Sequence, residues 1–217
     1  MREPERIHSS FLFPAIVLLL VAQPMLAALS STAPGLEAFP LLAALVASIW
    51  SLDRGGRWFR AGLALGLLLL VAAVARLLAP SPLLHAATFS ALAALSMISV
   101  ILGVRWLFAA ARITVETLLS AVSVYLLIGL SFAMIYVAIY TLEPSAFHGV
   151  SPGGHPAVTA ELVYFSIGTL STSALGDVLP MHPTTRLLTN IESVTGQLYL
   201  AVLVAILITG YTSRPRE

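Results

Sequence analysis

ELVYFSIGTLSTSALGDVLP, Glu161 to Pro180, lies between the last two long apolar segments of the chain, and its reading decides the rest. Val158 to Ser171 predicts a helix of roughly four turns, too short and too hydroxylated to cross a hydrocarbon core of about 30 Å. Tyr164 and Phe165 fall in its middle; Thr169, Thr172, Gly176, Asp177 and Pro180 punctuate its end and the irregular backbone beyond. At membrane depth, a short helix followed by irregular backbone is tolerated only where protein buries it or it lines water. The stretch therefore reads as a re-entrant loop.

The composition supports a membrane setting. Of 217 residues, 59% are hydrophobic and 10% charged, and the mean hydropathy is +0.96. A soluble domain carries about 25% charged residues. The net charge is +1 and the eleven basic residues, all Arg, are scattered, which gives no case for nucleic-acid binding. With no Cys, disulfides, zinc–thiolate sites and iron–sulfur clusters are excluded.

Working outward, the apolar runs predict six spans: Phe11–Ser30, Leu36–Leu52, Trp58–Ala79, Leu83–Ala110, Val115–Leu142 and Leu187–Thr209. Arg2, Arg6 and the run from Phe11 to Ala22 also fit a signal peptide. The run continues past Pro24 to a full membrane width, so it is read as a retained span. Nine arginines (2, 6, 54, 57, 60, 105, 112, 214 and 216) fall on one face, against Arg76 and Arg186 on the other. By the positive-inside rule both termini are cytoplasmic and the re-entrant loop enters from outside, in a multi-pass protein of the cell membrane. Residues 1–110 are read as a four-helix scaffold, and 111–217 as the unit carrying the loop.

The scaffold has few polar landmarks. Ala61 to Gly66 offers a small-residue packing face. Leu83 to Val104 contains no Arg or Lys, so the periodic basic pattern of a voltage sensor is missing. Arg112 and Glu116, four apart, can pair on one helix face. The connector Glu143 to Pro156, EPSAFHGVSPGGHP, predicts an exposed loop. His148 and His155 have no third ligand at fixed spacing, so no metal site is expected. Glu192, ionisable at membrane depth, is read as packing against the short helix rather than facing ions.

The loop itself resembles the pore signature of potassium channels, especially the small bacterial ones of the two-transmembrane pore family, with the pattern T-x-T-T-x-G-Y-G-D. Thr169, Thr172, Gly176, Asp177 and Pro180 match residue by residue, and Ser171 replaces a Thr conservatively. The resemblance runs from about Ile113 to Gly210 and includes VYLLIGLSFA and GQLYLAVLVA. The first four segments resemble, more faintly, the prefix of six-segment bacterial potassium-channel-like proteins.

The resemblance implies an all-α membrane homotetramer that passes monovalent cations, with no cofactor. Backbone carbonyls of Thr172, Ser173, Ala174, Leu175 and Gly176, with the Thr172 hydroxyl, would replace the water around the ion. Tyr164, Phe165 and Thr169 would support this filter, and Asp177 would form an anionic ring at the outer mouth. Leu175 stands in the Tyr place, as in some two-pore-domain relatives. Gly196 lies at the offset of the family's inner-helix hinge, although tight helix packing also accounts for a lone Gly. Gln197, Leu200 and Val204 would line the cavity below. No buried carboxylate is expected behind the filter at the position of Thr169.

Ala174 replaces the first filter Gly. A Cβ in left-handed backbone costs roughly 1–2 kcal/mol per residue, which predicts a cation pathway with weakened potassium selectivity. A nonconducting homologue with a structural or regulatory role is the alternative. Enzyme readings are weaker. The serine type of intramembrane protease needs G-x-S-G and a facing His, and neither is present. For the aspartyl type, Ala174-Leu175-Gly176-Asp177 falls one residue short of G-x-G-D. The only other Asp, Asp53, lies in an Arg-rich loop, and that chemistry needs two carboxylates at one site. One re-entrant element without a repeat argues against a secondary transporter. Only seven residues follow Gly210, so gating is expected from the membrane part or a partner.

Overall fold

The computed structural model describes residues 60, 64, 66–69, 71–72, 75, 81–109, 114–151, 154–173 and 176–212. From residue 81 on, four α-helices carry the described chain: α1 (Pro82–Ala109), α2 (Val115–Leu142), α3 (His155–Leu170) and α4 (Pro183–Thr212); the described residues between 60 and 75 are helical as well. A 3-10 turn (Pro144–Ala146) and two short strands, β1 (Phe147–His148) and β2 (Leu179–Pro180), complete it. The helix α1, the helix α2 and the Pro183–Ile206 part of α4 are long and apolar enough to cross a membrane. The expected spans Phe11–Ser30, Leu36–Leu52 and Trp58–Ala79, the Arg112–Glu116 pair and the voltage-independent scaffold as a unit lie wholly or largely outside the described residues.

Each helix boundary has a local cause. The α1 helix starts at Pro82, one residue before the expected span, because the Ser81 hydroxyl accepts the Leu84 N–H at 3.2 Å. The predicted bounds of α2 match. Its Thr114 caps the first turn reciprocally with Thr117, each hydroxyl accepting the other's N–H at 3.3 Å. The α4 helix begins four residues earlier than its apolar run suggests, since Pro183 and the polar turn after it are already helical. His182 caps that start, its Nδ1 accepting the Thr184 N–H at 3.3 Å and its carbonyl the Arg186 N–H at 3.0 Å. The α3 helix starts at His155, three residues before the expected Val158, because Pro156 suits the first turn.

The central helix is α2. α1, α3 and α4 all pack against it, and 72% of its apolar window is buried, against 11% for α4. Phe89, Leu92, Leu95, Met134, Leu162 and Leu170 form the middle of the core. Buried hydroxyls in these helices bond back to the preceding turn: Thr88 to the Leu84 carbonyl, Ser123 to Leu119 and Ser131 to Leu127, all at 2.7–2.8 Å. This lets polar residues sit in apolar helices without unpaired groups.

The connector corrects the sequence reading. Glu143 to Pro156 is expected to be an exposed loop, yet Ala146 and Phe147 are buried. The strands pair antiparallel, Phe147 with Pro180 and His148 with Leu179. The Ala146 carbonyl also accepts the Met181 N–H at 2.9 Å and the Thr185 hydroxyl at 3.2 Å. Gly149, at φ 90°, is required by this clasp: a Cβ there would lie 1.9 Å from the Asp177 carbonyl oxygen. Residues 149–178 thus leave and return at one place, where α2 ends and α4 begins.

Between those points α3 runs down beside both spans. Its last carbonyl, Leu170, accepts the Tyr125 hydroxyl at 3.1 Å and lies against Gly196. Tyr125 is roughly 25 Å from the end of α2, and Gly196 roughly 20 Å from the start of α4, at 1.5 Å per residue. The tip of α3 therefore stops about halfway along each.

Candidate functional site

The end of α3 is a Schellman cap. The Ser173 N–H reaches the Gly168 carbonyl at 2.7 Å, the Thr172 N–H reaches the Thr169 carbonyl at 3.0 Å, and Thr172 takes the left-handed conformation at φ 58°. Glycine ordinarily fills that position. A β-branched residue there is a true outlier, and such strain persists where surrounding contacts hold it. The Thr172 hydroxyl donates to the Ser171 carbonyl at 2.7 Å, so its lone pairs must accept; the Gln197 amide Nε2 donates to it at 3.2 Å. Thr172→Gly should relieve the strain and stabilise the cap by about 1–2 kcal/mol, seen as a higher unfolding midpoint, while deleting the acceptor for Gln197.

Other expected site residues gather around this cap. Ser173 and Gly176 are exposed, and Gly176 has a positive φ of 81°. Ala174 and Leu175 lie outside the described residues. Asp177 is exposed, and its Oδ1 accepts the Val178 N–H at 3.0 Å. Phe165 is buried behind α3 in a mutual edge-on set with Tyr136 (5.5 Å, 65°) and Phe147 (5.6 Å, 76°). Tyr164 points the other way and is 43% exposed. The two adjacent aromatics are therefore placed differently, one anchoring the helix and one on the wall of a cavity.

Thr169 is buried, and its Oγ1 has no hydrogen-bond partner among the described residues. It lines an open cavity of about 820 Å³ between α3, the following loop and α4, with Tyr164, Gly168, Asn190 and Ser193 on its walls. Gly196 is where α4 touches the end of α3: a Cβ would meet the Leu170 carbonyl oxygen at 2.2 Å. Close approach is thus one definite reason for this glycine, and α4 continues through it as an unbroken helix. Gln197, Leu200 and Val204 form an exposed stripe along α4. Among the described residues no group of three metal-ligating side chains occurs.

Sequence reasoning put Glu192 against the short helix, and it lies there, fully buried. What the sequence left out is the shape of its contacts. Its Oε2 accepts the Tyr136 hydroxyl of α2 at 2.7 Å, and its Oε1 meets the Ser166 Oγ of α3. The place of Thr169 lacks a carboxylate, as expected, but α4 supplies one a turn earlier along α3. The available signal was three polar residues in otherwise apolar segments; only packing could bring them together. Comparisons with family models, curated proteins and solved structures find no match to this chain.

Proposed function

We propose that the chain is the subunit of a homotetrameric channel for monovalent cations, resembling potassium channels, with Thr172 to Gly176 as its filter. The carrying observation is the excursion of residues 149–178. It is clipped at both ends beside the termini of two spans, and its half-length helix turns back about midway along them. A helix C-terminus carries partial negative charge that favours a cation. Here it is followed by a strained Thr hydroxyl tied to Gln197 on α4.

Assembly around an axis is favoured by two features. Only 11% of the α4 window is buried, and an open cavity of about 820 Å³ lies beside that face. A second copy packed there would cover both.

The test is cation flux and single-channel recording of the purified full chain in lipid vesicles. Potassium and sodium currents are expected, with weak preference for potassium. Replacing Ala174 by Gly, the residue the family pattern has there, should raise the potassium-to-sodium permeability ratio. A steep ratio in the parent chain defeats the selectivity argument. Absence of current in both chains leaves the nonconducting homologue as the reading.

A further inference from the structure

We infer that Glu192 is a neutral carboxylic acid whose proton bonds to Ser166, and that this proton pins α3 to α2 and α4. The argument is a count of protons. Ser166 Oγ lies 2.7 Å from the Gly129 carbonyl of α2 and also within bonding reach of Glu192 Oε1. A serine hydroxyl has one hydrogen and two lone pairs, and both neighbours would be pure acceptors if Glu192 were ionised. One of the two short contacts would then join two oxygens with no hydrogen between them.

A protonated Glu192 removes the conflict. Its O–H donates to Ser166 Oγ, Ser166 donates to the Gly129 carbonyl, and Tyr136 donates to the remaining carboxyl oxygen. Every member then has a partner, as a buried polar network requires. The surroundings agree. Tyr136, Ser166 and Glu192 are all fully buried, and among the described residues no basic side chain pairs with the carboxyl. From α2 the ionisable groups facing it are Tyr136, which donates to it, and Tyr125, close enough to sense its charge. From α3 the facing polar group is Ser166, and on α4 itself the nearby Thr189 hydroxyl donates to the Thr185 carbonyl at 2.8 Å.

The chain Glu192–Ser166–Gly129 crosses three helices, and removing its proton leaves an unpaired charge and two opposed acceptors at their junction. Ionisation would therefore loosen the seat of α3 and move the Thr172 cap. This does not depend on conduction by the chain.

Infrared difference spectra of the full chain in lipid, wild type minus Glu192→Gln, should contain the C=O stretch of a protonated carboxylic acid at neutral pH. Raising the pH should abolish that band and lower the thermal midpoint of the wild type. Because the folded chain keeps a proton that the unfolded chain releases, stability falls as pH rises. Glu192→Gln, whose amide can donate to Ser166 and accept from Tyr136, should keep the neutral-pH midpoint and lose its dependence on pH over that range. In Ser166→Ala the acid band should shift to higher frequency as its acceptor disappears. A difference spectrum without an acid band at neutral pH overturns the inference. So does a Glu192→Gln midpoint as low as that of Glu192→Ala.

Discussion

Phe165→Ala is expected to lower unfolding stability in mixed micelles by about 3–5 kcal/mol, the usual cost of truncating a buried aromatic. Phe165 meets Tyr136 of α2 and Phe147 of the clasp edge-on, and those two rings meet each other at 5.4 Å and 70°. Each such pair adds about 0.5–1.5 kcal/mol beyond area burial. The cluster therefore fastens α3 to the central span and to β1 at once. Losing it should expose the 149–178 segment to proteolysis before the spans unfold. Tyr164→Ala, one residue away but 43% exposed, is the control and should leave the unfolding midpoint much less changed. Equal losses from the two substitutions would show that Phe165 is not the fastening.

Gly196→Ala is the second large effect, and its first readout is function. An added Cβ would stand 2.2 Å from the Leu170 carbonyl oxygen and 3.0 Å from a methyl of the same residue. The nearest obstacle is backbone, so no rotamer change can clear it. Contact at ordinary carbon separations requires the end of α3 to retreat by more than about 1 Å. That carbonyl also accepts the Tyr125 hydroxyl, and the neighbouring Thr172 is held by Gln197, so both bonds lengthen together. Overpacking of this kind costs about 1–3 kcal/mol. Cation flux should fall far more than stability does, because the proposed filter begins two residues beyond Leu170. A variant with unchanged flux and unchanged midpoint would remove Gly196 from the site.

Much of the helical plan could be read from the residues. The apolar run of α2 gave both bounds, and the Thr114 cap found in the structure agrees with its start. At α4 they disagree: Pro183-Thr184-Thr185-Arg186 is polar yet helical, and hydropathy alone starts the span too late. The Glu143–Pro156 connector misleads for a different reason. Its Pro, Gly and Ser residues describe a loop correctly, but Phe147 finds two aromatic partners, Tyr136 and Phe165, that no local pattern reveals. The strain at Thr172 was equally hidden. The sequence points to Ala174 as the costly residue, which lies outside the described residues; the strain that is described falls at Thr172, where the Schellman geometry demands a left-handed residue.

The unequal support along α4 has a mechanical consequence. Its N-terminal half is held by the clasp through Thr185, by Glu192 and by the contact at Gly196. Beyond Tyr199, whose hydroxyl reaches the Ala121 carbonyl at 2.7 Å, the described side chains are mostly exposed. The two halves of the helix are therefore seated unequally by the described contacts, and a substitution before Tyr199 should disturb the junction with α3 more than one at residues 200–204.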